Sequence, residues 1–343
     1  MRAAVLRSPG IMEVEEIPDP IAPEGGALLK VKACSICGTD LKILSTGHRD
    51  LAYPRVLGHE IVGRVLEAPE NATIQEEDTI QVWPGIACGG CRPCLRGHDN
   101  QCKDMSILGF NRDGGFEEMM ALPRESITKG LNILPKGANS SEATLAEPLG
   151  CCINAQDLAG VSRDDFVLII GGGPTGILHA LLARQRGAEK IILSEKLEAR
   201  RKLAERAADR VVNASSEDLS SIVAEETGGE GVDAIMLATP EVEADNFLLR
   251  LLAPGGRICA FSGPKPEGWI KPMDIRSIHY RDLTLVGAYG CPSSCNRRAT
   301  EMISSGALDV SWLLTFRTSL ERIKEAFDHA AGRREMRSVI DRF

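Results

Sequence analysis

The sequence has no long run of Lys or Arg, no apolar stretch long enough to cross a bilayer, no internal repeat and no low-complexity tract. Each absence removes a class of function. With 48 acidic against 40 basic residues the net charge is −8, so no cationic footprint is offered to nucleic acid or to an anionic membrane. The longest apolar run, FVLII at 166–170, falls far short of the roughly 20 residues a spanning helix needs. No uninterrupted apolar segment follows the charges of MRAAVLRSPGIMEVEEIPDP, so no secretory leader is read there and a cytoplasmic location is expected. Thiols stay reduced in that compartment, and the 11 cysteines are therefore not read as a disulfide framework.

What is present suits a soluble protein acting on a small molecule. A chain of 343 residues with 43% hydrophobic residues is large enough to divide its core between two domains. Residues 88–102 read CGGCRPCLRGHDNQC. Cys88, Cys91, Cys94 and Cys102 offer four soft thiolates from one short loop rich in Gly and interrupted by Pro93, the combination a tetrahedral all-thiolate zinc site requires. Arg92 and Arg96 are expected to offset the thiolate charge and favour the deprotonated form. A site closed by four thiolates stabilises a lobe and does no chemistry. A DNA-binding finger is disfavoured, because no recognition helix accompanies the second ligand pair.

A second set of metal ligands is scattered. KVKACSICGTDLK places Cys37 after the alternating run Leu29, Val31, Ala33; PRVLGHEIVGRV places His59 and Glu60 at the start of another strand; LAEPLGCC holds Glu147. One thiolate, one imidazole and one or two carboxylates form an open zinc site that leaves a position for water or a substrate oxygen. Cys34 competes for the thiolate role, but the Cys-Gly-Thr-Asp turn favours Cys37. Thr39 adds a hydroxyl suited to relaying a proton from an alcohol at that metal.

From Asp165 the chain reads DFVLIIGGGPTGILHALLARQRGAEKIILSEKLEARR. A short apolar strand, a glycine loop and a helix are followed by a second strand ending in Glu195, about 20 residues beyond the loop. Gly171 makes the tight turn, Gly173 admits the pyrophosphate and Gly176 packs helix on strand. Glu195 is suited to the ribose hydroxyls and repels a 2′-phosphate, which favours NAD; Lys196, Arg200 and Arg201 nearby are the features that would suit NADP. GVDAIMLAT, GGRICAFSG and RDLTLVGAYG continue the β/α units of a doubly wound sheet, and SLERIKEAFDHAAGRREMRSVIDRF reads as an amphipathic helix and a terminal strand that return to the first domain.

CGTD at 37–40, GHE at 58–60, the four-cysteine loop, EPL at 147–149 and GGGPTG at 171–176 together resemble the zinc-dependent medium-chain alcohol and polyol dehydrogenases, in particular the branch of sorbitol, threonine and galactitol-phosphate dehydrogenases. That resemblance implies an α/β protein: a GroES-like β-rich catalytic domain at 1–148 with the lobe at about 85–105, a Rossmann domain at 149–288, and a return to the catalytic domain at 289–343. It further implies that Cys37, His59 and Glu60 bind the catalytic zinc, that Glu147 binds it or its water, and that Arg200 helps Glu195 hold the adenosine ribose. Two zincs per chain, NAD, a homodimer or homotetramer and a reversible secondary-alcohol oxidation follow, on a polyol or polyol phosphate or, alternatively, on L-threonine or another hydroxy acid. A zinc-stabilised NAD sensor is the non-enzymatic alternative, and it expects gaps in the catalytic set that this chain does not have.

Lys42 stands where many relatives have His, and Gly290-Cys291 where sorbitol dehydrogenases usually have Arg-Tyr, which speaks against sorbitol itself. Lys42, His48 and Arg49 form a basic stretch, either a solvated loop face or a place for a substrate phosphate or carboxylate. Cys151, Cys152 and Cys259 are read as small buried hydrophobes, and Cys291 and Cys295 as packing residues before pocket lining. The LTLVGAYG strand is expected to pair with its copy in a dimer, as in the family.

Overall fold

The computed structural model describes residues 1–48, 51–263, 270–333 and 336–343, so Arg49 lies outside the described residues. The chain divides into two compact units, Met1–Gly150 with Cys291–Phe343, and Cys151–Gly290. These divisions fall two residues past the boundaries at 148 and 288 read from the sequence. No helix is long and apolar enough to cross a membrane among the described residues.

The first unit is built around the strand Ala27–Ser35, whose centre alternates buried Val31 and Ala33 with exposed Lys30 and Lys32. It pairs antiparallel with Glu60–Glu67, Met119–Leu122 and Arg337–Arg342, and the last of these runs parallel to Leu314–Ser319. Thr79–Val82 and Leu131–Ile133 extend the same sheet beyond Glu60–Glu67. Leu29, Val31, Ile61, Val65, Ile80, Phe116 and Met120 share one core cluster beneath it. Each such side chain contributes about 1.5–3 kcal/mol of burial, enough to hold the strand ends that carry polar residues in fixed places.

The closing helix Ile323–Ala331 buries Ile323, Ala326 and Phe327 on one face, at helical spacing. Phe327 packs edge-on against Phe116, with ring centroids 5.8 Å apart. The terminal strand then runs beside Cys34 and Ser35, which brings Arg337 to residues near the start of the chain.

The second unit is a six-stranded sheet, every pair parallel, ordered Arg210–Asn213, Lys190–Glu195, Phe166–Ile170, Val232–Leu237, Leu252–Ala260, Thr284–Gly287. That is the doubly wound order in which the first strand lies at the point of reversal, where dinucleotides bind beyond the strand ends. The runs FVLII and IILSE are almost wholly buried, as a parallel sheet covered on both faces demands. Thr284–Gly287 ends the sheet, with Leu285 exposed.

Candidate active site

Cys37 caps the helix Gly38–Thr46, two residues beyond the central strand. Gly58 turns the chain at φ +93°, and a Cβ there would stand 2.8 Å from Cys34 Sγ and 3.0 Å from the Phe116 ring, so only glycine admits this turn. The turn delivers His59 and Glu60 beside Cys37. The ligand atoms of the three lie within 4.8 Å of one another, with His59 5% and Glu60 0% exposed. Cys34, the rival thiol, is fully buried between Gly58 and Gly115 and outside this group; burial above all pushes its pKa well up.

Asp40 organises the cluster. One carboxylate oxygen accepts the Cys37 amide at 2.9 Å and the other lies 3.3 Å from His59 Nδ1, leaving Nε2 for a metal. Burial works against a proton on His59, yet Asp40 and Cys37 outweigh it and hold the ring well above its ordinary pKa. A buried set this rich in negative groups calls for a cation, and thiolate, imidazole and carboxylate are donors that suit zinc.

Glu60 is also committed elsewhere. Arg337 Nη1 donates to both its oxygens, at 2.7 and 2.9 Å, and to the Ile36 carbonyl at 3.0 Å, while Ser35 Oγ donates to the same carboxylate. Burial opposes the charge on Arg337, and Glu60, Cys37 and Glu147 more than restore it. Thr39 Oγ1 lies 3.7 Å from Cys37 Sγ, and its side chain is half-buried.

The four-cysteine loop is a separate cluster. Cys88, Cys91, Cys94 and Cys102 have their sulfurs within 4.8 Å of one another, with Cys91 3.4 Å from Cys94 and 3.9 Å from Cys102. These separations are far beyond a disulfide bond of about 2.05 Å. They bracket the edge of about 3.8 Å that a tetrahedron with zinc–sulfur bonds of about 2.3 Å has. Amides of Cys94 and Lys103 pull Cys91 down to about 6, whereas burial and the neighbouring thiols push Cys94 up to about 12. Four thiolates this close ionise together only around a cation. The part expected of Arg92 and Arg96 is not borne out: both are exposed, and the backbone amides stabilise the thiolate instead.

In the second unit the first strand ends at Ile170 and the helix Pro174–Gln185 begins after Gly173. Gly171 turns at φ +105°, and a Cβ on Gly176 would stand 1.8 Å from the Gly171 carbonyl, so helix and turn touch directly. Glu195, 8% exposed, accepts the amides of Gly172 and Leu197, each at 2.8 Å. Arg201 donates to the carbonyls of Glu195 and Lys196 and to Asn213, while Arg200 places Nη1 3.3 Å from where a Gly173 Cβ would be.

Residues 23–135 match the family model of the alcohol dehydrogenase GroES-like domain, and residues 174–305 that of zinc-binding dehydrogenases. The L-threonine 3-dehydrogenase of Bacillus licheniformis is 31% identical over 333 residues, 95% of this chain and 94% of that one. The chain belongs to the zinc-dependent medium-chain alcohol and polyol dehydrogenases. The L-galactonate-5-dehydrogenase of Escherichia coli is 27% identical over 96% of this chain and 94% of its own length. A zinc-binding dehydrogenase of Sinorhizobium meliloti, solved with NADP bound, superposes with a TM-score of 0.88 at 31% identity, covering 99% of this chain and 98% of that one.

For a dehydrogenase of this family the remaining expected residues divide. Glu147, half-buried in the helix Ala146–Ala159, is outside the group of Cys37, His59 and Glu60; its carboxylate oxygen lies within 4.8 Å of Cys291 Sγ. Lys42 is exposed on the helix that carries Thr39, one turn further on. The His48 ring meets Phe110 edge-on at 5.8 Å, and Phe110 in turn lies 5.4 Å from the His59 ring.

Two residues escaped the sequence reading. Asp40 carried a local signal, an acid three residues after Cys37 in the first helical turn, where it closes a capping box. Arg337 carried none, being 277 residues from Glu60.

Proposed function

We propose that this dehydrogenase interconverts a secondary alcohol and a ketone on a polyol, polyol phosphate or hydroxy acid, with NAD and two zincs per chain. The observation that carries the reading is the grouping of half-buried Cys37 with buried His59 and Glu60, with the Thr39 hydroxyl 3.7 Å from the Cys37 sulfur. Cys37, His59 and Glu60 would hold the catalytic zinc, with Glu147 binding it or its water, and Cys88, Cys91, Cys94 and Cys102 would hold the structural one. When bound, zinc acidifies the substrate hydroxyl and nicotinamide accepts hydride.

The chain's own residues do the rest. Asp40 fixes the His59 ring, and Arg337 offsets the charge of Glu60. Oxidation of an alcohol releases one hydride and one proton; Thr39 Oγ1 takes up that proton and passes its own to water. Gly171, Gly173 and Gly176 bring the helix N-terminus to the pyrophosphate, and Glu195 accepts the ribose hydroxyls beside Arg200.

NAD is favoured over NADP because Glu195 is an anion fixed by two amides, while Arg201 is occupied with backbone carbonyls. The NADP seen in the Sinorhizobium meliloti protein supports the opposite choice, and coenzyme titration decides between them. Lys42, one turn beyond Thr39, favours an anionic group on the substrate, as does the likeness to enzymes of threonine and galactonate. Pairing of Thr284–Gly287 with a second copy would cover the exposed Leu285.

The test is NAD and NADP reduction by zinc-replete protein across free polyols, polyol phosphates, hydroxy acids and threonine. Activity on the anionic members that Lys42→Met reduces selectively is expected; equal loss on charged and neutral substrates would remove Lys42 from substrate recognition. Silence across the panel, with two zincs bound, would exclude these substrate classes.

A further inference from the structure

The reading of Cys291 as a packing residue is incomplete. Its Sγ lies within 4.8 Å of the Glu147 carboxylate, and the thiol packs on the same helix one turn further along, 3.1 Å from where a Gly150 Cβ would be. Cys291 is 3% exposed, so the sulfur near the carboxylate is shut off from water.

Hydrogen bonds to Trp83, Asp99 and Gln81 set the position of that sulfur. Trp83 Nε1 donates to the Cys291 carbonyl at 3.0 Å. Pro292 follows as the cap of the helix Ser293–Ser304. Asp99, 4% exposed and between Cys94 and Cys102 in the four-thiol lobe, accepts the Ser293 amide at 2.9 Å and its hydroxyl at 2.5 Å. One turn into the helix, Asn296 and Thr300 donate to Gln81 Oε1 at 2.6 and 3.0 Å, and Asn132 donates to the same oxygen at 2.9 Å. A helix held at its first residue and by a buried polar network has one register.

We propose that Cys291 is a positioning residue for Glu147, and that the four-thiol lobe holds it in place through Asp99. A thiol is a weak donor and a soft, well-packing group, so it restricts the carboxylate to one orientation without capturing it as a hydroxyl or an amine would. The lobe then has a task beyond its own stability: its fold sets where a helix 194 residues away begins. This inference rests on the reading that Glu147 belongs to the catalytic metal site.

The experiment uses the full chain with cobalt(II) in place of zinc. The visible spectrum and chelator-competition affinity of Cys291→Ala, Cys291→Ser, Asp99→Ala, Asp99→Asn and Glu147→Gln are compared with the parent, alongside kcat and KM. Cys291→Ala and Glu147→Gln should shift the cobalt band in the same sense, and Cys291→Ala should weaken metal retention at the catalytic site about fivefold with the lobe metal kept. Cys291→Ser, which keeps a donor, should restore most of it, and Asp99→Asn should do better than Asp99→Ala. A spectrum that moves in Glu147→Gln and stays put in Cys291→Ala overturns the proposal. If neither variant moves it, the metal reading of Glu147 falls and the proposal falls with it. Asp99→Ala with a lower Tm and an unchanged cobalt band would remove the lobe from the positioning of Cys291.

Discussion

Acid should weaken the nucleotide-binding unit through His179. This residue lies on the helix Pro174–Gln185 that opens at the glycine loop, and it is 0% exposed. Its ring stands edge-on to Phe261 at 4.6 Å, and Gln156 Nε2 lies 3.3 Å from Nδ1 while also donating to the His179 carbonyl at 2.8 Å. Burial, aided by the charge of Arg186, drives its pKa down from 6.5 to about 3. The folded state therefore holds the ring neutral, whereas the unfolded chain protonates it below pH 6.5. Protons favour the unfolded state in that window, so the contribution is fully present above pH 6.5 and is lost as the pH falls toward 3. At 1.36 kcal/mol per pKa unit the loss is about 2 kcal/mol at pH 5 and approaches about 5 kcal/mol below pH 3.

His179→Met removes the titration and keeps an apolar side chain of similar size. Opening free energies of the strand Phe166–Ile170, from hydrogen exchange with intrinsic rates corrected for pH, isolate this unit from the other. The parent should lose about 2 kcal/mol more than the variant between pH 8 and pH 5. Equal losses in the two proteins would refute the reasoning, because the acid sensitivity would then reside elsewhere.

In the metal-free protein Arg337→Met leaves the buried Glu60 without its partner and should cost about 3–5 kcal/mol, read as a fall in Tm; an unchanged Tm would mean that this buried pair does not stabilise the fold. Asp40→Asn loses the carboxylate that faces His59 Nδ1 and should weaken catalytic zinc about 10–100-fold in a chelator competition, while the four-thiol site keeps its metal. Glu195→Ala should raise KM for NAD about tenfold and narrow its advantage over NADP; a parallel loss with both coenzymes would argue against ribose contact.

The four-thiol site and the glycine loop were legible because each is local. Cys88, Cys91, Cys94 and Cys102 span one turn-rich loop, so spacing alone brings four sulfurs together, and Gly171, Gly173 and Gly176 all fall within one strand-to-helix turn. The open site was legible only in fragments. Cys37, His59 and Glu60 were found by residue type, but that they share a space of 4.8 Å depends on the pairing of Ser35 with Glu60 across two strands. The roles given to Arg92 and Arg96 misled because both side chains stand in solvent, which screens their charge, whereas the amides of Cys94 and Lys103 hydrogen-bond the Cys91 sulfur.

By itself the sequence determined the chemistry on offer: which donors exist, which loops can close on a metal or a pyrophosphate, and which functions an acidic chain without long apolar runs excludes. The tertiary structure alone decided the partners of those donors. Arg337 reaches Glu60 across 277 residues and Asp99 reaches Ser293 across 194, in each case because strand pairing or helix docking fixes both ends. Covalent spacing constrains neighbours within a turn or two, whereas a buried charge is satisfied by whatever the packed chain brings to it, and no local pattern records that choice.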